Sequence, residues 1–100
     1  MPIKELREDK HTSLELANKG LGPTEAIVLG ELVKVSRVLT SLDVSANELD
    51  PKAGKALADA LSVNRVLKSL DVRFNSSLGE EGKQALRDAV KGRDGFELLV

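Results

Sequence analysis

The sequence predicts a short right-handed α/β solenoid, with parallel strands on one face and helices on the other. Three observations carry this prediction. The chain repeats itself: Thr12-Ser13-Leu14 returns as Thr40-Ser41-Leu42 and again as Lys68-Ser69-Leu70, at a step of 28 residues. Residues 12–39 and 40–67 align without a gap and share ten identities, among them Leu21/Leu49, Pro23/Pro51, Leu29/Leu57 and Arg37-Val38-Leu39/Arg65-Val66-Leu67. A fixed period of this size marks a stacked array in which each unit buries its apolar face against its neighbours. Within each unit, a short stretch of period two is followed by a longer one of helical period.

The strands come first. Leu14-Glu15-Leu16, Leu42-Asp43-Val44 and Leu70-Asp71-Val72 place apolar residues two apart with an acid between, the pattern of a strand with one buried face. Turn-rich segments follow, rich in Asn, Gly and Ser. Leu21, Leu49 and Leu78 anchor them to the core, and the third is one residue longer, around Ser76 and Ser77. Helices come next. Pro23 and Pro51 stand near the first two starts, where a missing N–H is harmless, and Glu80-Glu81 favours the third. Gly82, Ala85, Leu86, Ala89 and Val90 form a one-faced stripe. Gly54, Leu57, Ala60 and Leu61 form its counterpart in the second helix, and Ala26, Leu29, Leu32 and Val33 in the first. The small residues are expected to let each helix lie close to the strand layer.

The two ends depart from the repeat. Ile27 aligns with Lys55 and Gln84, which are outward positions, so it needs cover. We expect residues 1–11 to form a helical cap that presents Ile3 and Leu6 to it. After a polar turn, Lys91 to Gly95, the run Phe96-Glu97-Leu98-Leu99-Val100 reads as a capping strand, since array ends otherwise expose apolar surface and unpaired edges. The chain thus divides into a cap (1–11), three repeats (12–39, 40–67, 68–91) and a C-terminal capping strand (92–100), one domain overall.

Composition narrows the function. The formal net charge is −1 and no segment departs far from neutrality, so no basic stripe is offered to phosphates and nucleic acid is not expected as a partner. Only Phe74 and Phe96 are aromatic, which argues against base stacking. No basic amphipathic helix or long apolar run points to a membrane. Without cysteine there is no disulfide, thiolate metal site or thiol nucleophile; a cytoplasmic location is the expectation. His11, the single histidine, lies two residues from Asp9 and from Ser13. Neighbours on one strand cannot build a nucleophile triad. We expect no enzyme, no cofactor and no metal, because acids laid along a line do not converge on a cation. Arg37 and Arg65 recur one period apart; they read either as a basic ladder or as charges favourable at helix C-termini.

Leu42-Asp43-Val44-Ser45-Ala46-Asn47-Glu48-Leu49, followed by a helix with Ala56-Leu57-Ala58-Asp59-Ala60-Leu61, resembles a leucine-rich repeat with its L-x-L-x-x-N-x-L signature. Leu70-Asp71-Val72-Arg73-Phe74-Asn75 resembles it too. The unit length and its helix are similar to the ribonuclease-inhibitor-like class. The resemblance covers roughly residues 12–91. It implies an asparagine ladder through Asn47 and Asn75; the first repeat has Lys19 in that place, so the ladder starts at the second. It also implies a binding face on the concave strand side. By alternation that face holds Ser13, Glu15 and Ala17; Ser41, Asp43 and Ser45; and Ser69, Asp71 and Arg73. Glu15, Asp43 and Asp71 would form an acidic column, extended by Glu97; it reads either as a site for a protein partner with a basic surface or as a solvated face that serves solubility and edge protection. Arg73-Phe74 is a further contact candidate, unless Phe74 is buried under its loop. The alternatives are a structural or self-associating repeat scaffold, or a fragment or design without a natural ligand.

Overall fold

In the computed structural model the described residues are 13–100; the expected N-terminal cap lies outside them. Four short strands, β1 (Ser13–Glu15), β2 (Ser41–Asp43), β3 (Ser69–Asp71) and β4 (Glu97–Leu99), form one parallel sheet in the order β1-β2-β3-β4. Three helices, α1 (Pro23–Val35), α2 (Pro51–Val63) and α3 (Gly79–Ala89), connect them, and each helix packs on the next. This is the α/β solenoid that the repeat predicts.

Each unit closes by the same devices. The middle leucine of every repeat strand, Leu14, Leu42 and Leu70, is buried, as are Leu16, Val44 and Val72 that follow it. Leu21, Leu49 and Leu78 pin the loops, and Leu29, Leu57 and Leu86 drive the helices onto the same core. Burying one such side chain is worth about 1.5–3 kcal/mol, so the leucine columns dominate the stability of the array. At the start of α2, Asp50 accepts a hydrogen bond from the Ala53 N–H at 2.9 Å, a cap worth ~1 kcal/mol. At the start of α1, Gly22 has no side chain to offer; its N–H instead donates to Glu25 Oε1 at 3.0 Å. The extra residue of the third loop is taken up in a turn closed by the Leu78 N–H on the Asn75 carbonyl, 3.0 Å, and Gly79, at φ +65°, lets the chain swing into α3.

Two expectations are revised and one open alternative is decided. The small helix residues serve helix–helix approach rather than helix–strand approach. A Cβ on Gly54 would stand 3.0 Å from Gly82 Cα, and one on Gly30 would stand 3.2 Å from the Ala56 carbonyl oxygen. Their partners are backbone atoms of the neighbouring helix. The turn from Lys91 to Gly95 is more than polar filler. Arg93 reaches inward, donating to the Leu61 carbonyl at 2.9 Å and the Leu67 carbonyl at 2.8 Å, while its guanidinium lies 4.8 Å from the Phe96 ring centroid. Burial lowers its pKa, and so, to a smaller degree, does the nearby charge of Arg65. Phe74 is not under its loop but 80% exposed. Ile27 is 40% exposed among the described residues.

Candidate functional site

The strand face is built from three straight rows. Parallel pairing sets Ser13 beside Ser41 and Ser69, and Glu15 beside Asp43 and Asp71. Beyond the strands the ladder continues, with Asn18 N–H on the Ser45 carbonyl at 3.0 Å and Ala46 N–H on the Arg73 carbonyl at 2.8 Å. That places Ala17, Ser45 and Arg73 in the third row. All nine expected residues therefore share one face, exposed or half-buried. Neighbouring side chains within a row are about 4.8 Å apart across the sheet, and the rows lie about 6.6 Å apart along the strands; the small Ser and Ala residues leave that surface flat.

Glu97 does not extend the acidic column. It pairs with Ser69, in the serine row, and Leu99 stands beside Asp71 instead. The physical cause is a change of residue, not of register. The residue inserted after β3 is offset by one lost before β4, so β4 keeps the 28-residue step and carries Glu97 where the other strands have serine. The column is Glu15, Asp43 and Asp71, ended by an apolar side chain.

Two of its acids also terminate their strands. Asp43 Oδ1 accepts from the Ser45 N–H at 2.9 Å and from Ser45 Oγ at 2.7 Å. Asp71 Oδ1 accepts from the Arg73 N–H at 3.0 Å. These are side-chain turns in which the carboxylate stands in for a backbone acceptor two residues back. Asp71 is further engaged by the Arg73 guanidinium, Nε to Oδ1 at 3.1 Å and Nη2 to Oδ2 at 2.9 Å. This hydrogen bonding holds its pKa below the ordinary carboxylate value, against the opposing effect of burial. The contribution of the pair is therefore present at neutral pH and is lost as pH falls through the lowered Asp71 pKa. Arg73→Ala should move the Asp71 titration upward toward the ordinary range in an NMR carboxylate titration. An unmoved titration would show that the pair does not persist in solution. Among the described residues Glu15 and Asp43 enter no ion pair, although the charge of Asp43 also acts on Arg73.

Behind the face runs the asparagine ladder. Asn47 Oδ1 accepts the Lys19 and Leu21 N–H groups, both at 3.0 Å, and Nδ2 donates to the Leu16 and Val44 carbonyls, both at 2.9 Å. Asn75 Oδ1 accepts the Leu49 N–H at 3.0 Å, and Nδ2 donates to the carbonyls of Val44 at 3.1 Å and Val72 at 2.9 Å. The residue before each ladder position, Ala46 and Phe74, has positive φ, as does Asn18 in the first repeat. Among the described residues no group of three or more His, Asp or Glu side chains can hold a metal ion, and no helix is long and apolar enough to cross a membrane.

Comparison with known proteins agrees with this geometry. A family model described as Leucine Rich repeat matches residues 35–58 and 63–86, two spans in step with the repeat. A search of characterised protein sequences finds no significant match. Among solved structures, Leiomodin-1 Actin-Binding Site 2 (ABS2) superposes with a TM-score of 0.83 at 17% sequence identity, over 97% of this chain. The chain spans 58% of the length of that structure. With two matched repeats, a parallel sheet in 28-residue register and the asparagine ladder between its loops, the chain belongs to the leucine-rich-repeat family.

Proposed function

We propose that the chain is a non-enzymatic protein-interaction module of the ribonuclease-inhibitor-like class, working in the cytoplasm and using its concave strand face. The observation that carries this reading is a flat face of small and charged side chains in three rows, presented by a rigid sheet. Glu15 and Asp43, which enter no ion pair among the described residues, select a partner with a basic surface. Arg73, its charge matched by Asp71, gives one end of the face a fixed ion pair that discriminates among such partners. The likeness to a structure described as an actin-binding site supports a protein as the ligand and makes actin the first defined protein to test.

The experiment compares wild type with Glu15→Lys plus Asp43→Lys, and with Lys52→Glu plus Lys91→Glu on the helix side, in actin co-sedimentation and in cross-linked capture of partners. Strand-face reversal should weaken binding at least about tenfold, the size of a like-charge contact of one to two kcal/mol, and leave thermal melting unchanged. Binding that survives it and fails in the helix-side variant would place the interface elsewhere. The second reading is a self-associating scaffold, supported by the place of β4 at one end of the described sheet. Light scattering over a wide dilution series separates the two: a species that dissociates on dilution favours the scaffold.

A further inference from the structure

A second surface lies where α1 and α2 end. Val35 and Val63 are the last residues of these helices and are 70% and 59% exposed. They occupy the same repeat position, so they stand side by side on neighbouring helices. Between and around them runs a groove of about 390 Å³, lined by Lys34, Val35, Arg37, Val63, Arg65 and Val66, with Ser36 and Asn64 at its floor. No carboxylate lines it. Lys34 is held by Glu31 at 3.1 Å. Among the described residues Arg37 and Arg65 make no hydrogen bond or ion pair.

These arginines take no part in the hydrogen bonds that close the helix ends, so any effect they have there is one of charge alone. The Val33 and Ser36 carbonyls at the end of α1 accept Asn64 Nδ2 at 2.7 and 3.2 Å. The Leu61 carbonyl of α2 accepts Arg93, and the Asn64 N–H closes on Ala60. Asn64 and Arg93 hold one structural position in successive repeats, and each bonds a carbonyl in the last turn of the helix of the preceding repeat. Arg37 and Arg65 are left exposed beside exposed β-branched side chains. Scattered apolar residues on a surface are ordinary, but a paired apolar ridge edged by unpaired cations is a recognition surface for a ligand carrying both complements.

We propose that this groove binds an extended acidic segment of a partner protein, with two apolar side chains seated on Val35 and Val63 and carboxylates on Arg37 and Arg65. The spacing fixes the segment. Packed helices lie about 8–10 Å apart. A polyproline II chain returns every third side chain to one face at roughly 9 Å. The ligand therefore carries apolar residues three apart with acids between. This surface is on the helix side of the sheet and takes the opposite charge to the strand face, so it is a second site, independent of the first.

The test titrates isotope-labelled protein with a capped glutamate peptide carrying leucine at every third position, read by amide chemical shifts. Saturable shifts confined to Lys34–Arg37 and Val63–Val66, weakening as salt rises, are the expected result. Arg37→Glu with Arg65→Glu should abolish them, and Val35→Ser with Val63→Ser should weaken binding about tenfold. Glu15→Lys with Asp43→Lys should leave them unchanged. All four groove positions substituted are exposed, and circular dichroism confirms that the variants fold. No saturable shift, shifts on the strand face, or equal binding of polyglutamate without leucine would overturn the proposal.

Discussion

Asn47→Ala should lower the unfolding free energy by about 3–5 kcal/mol, a large share of the roughly 5–15 kcal/mol available to a chain of this size. The side chain is buried and connects two loops. Its oxygen meets two backbone N–H groups of the first repeat, and its amide meets carbonyls of Leu16 and Val44. Alanine takes this partner from both N–H groups and from the Leu16 carbonyl, while the Val44 carbonyl keeps Asn75 Nδ2. Each unmet buried group costs about 1–3 kcal/mol, partly relieved as the loops relax. Asn75→Ala should cost less, because Asn75 Oδ1 takes only the Leu49 N–H. Urea denaturation measures both: a loss of ~3 kcal/mol moves the midpoint by about 1–3 M. A loss below about 1 kcal/mol at Asn47 would mean that the leucine columns alone hold the stack, and the ladder is incidental.

The architecture was legible because a repeat states its own register. Thr12-Ser13-Leu14 and its successors lie one period apart in sequence and side by side in space, so the strand rows could be written down from the alignment. The alternation of Leu14, Glu15 and Leu16 fixed which side chains face outward. Alternation misled where the period did not. Glu97 stands between Phe96 and Leu98 as the column acids stand between apolar residues, but the regular 28-residue step sets it beside Ser69. Legibility failed also where a neighbour in space is invisible along one helix. The stripe through Gly54 and Gly82 was read correctly as small, yet periodicity names no partner, and the partner is the next helix. The turn role of Asp43 and Asp71 had a faint signal in the hydrogen-bonding residue two positions on, Ser45 and Arg73. Arg93 had one too, its repeat-equivalence to Asn64, hidden by the inserted residue in the third loop.

Gly54→Leu should separate α3 from the array. A Cβ at Gly54 would lie 2.8 Å from Leu78 Cδ1, 3.0 Å from Gly82 Cα and 3.2 Å from the Gly82 carbonyl oxygen. The backbone atoms cannot rotate away, and Leu78 is fully buried, so its side chain has no free space to swing into. The same leucine stands 2.6 Å from a Cβ built on Gly82, so the two glycines and Leu78 form one close-packed contact. Gly54→Ala gains about 1 kcal/mol of helix propensity and loses roughly 1–3 kcal/mol to overpacking, for a net destabilisation. Gly54→Leu adds more atoms to the same gap and should cost on the order of 4 kcal/mol by the same effect. Gly30→Ala is the milder comparison: its nearest neighbour is the Ala56 carbonyl oxygen at 3.2 Å, against 2.8 Å for the nearest neighbour at Gly54. Because each repeat touches only its neighbours, the damage should be local. Native-state hydrogen exchange should show α3 and β4 losing protection first while β1 and α1 keep theirs. Uniform loss across the chain would mean that the array folds as one cooperative unit. Wild-type stability in Gly54→Leu would mean that α2 and α3 do not approach this closely in solution.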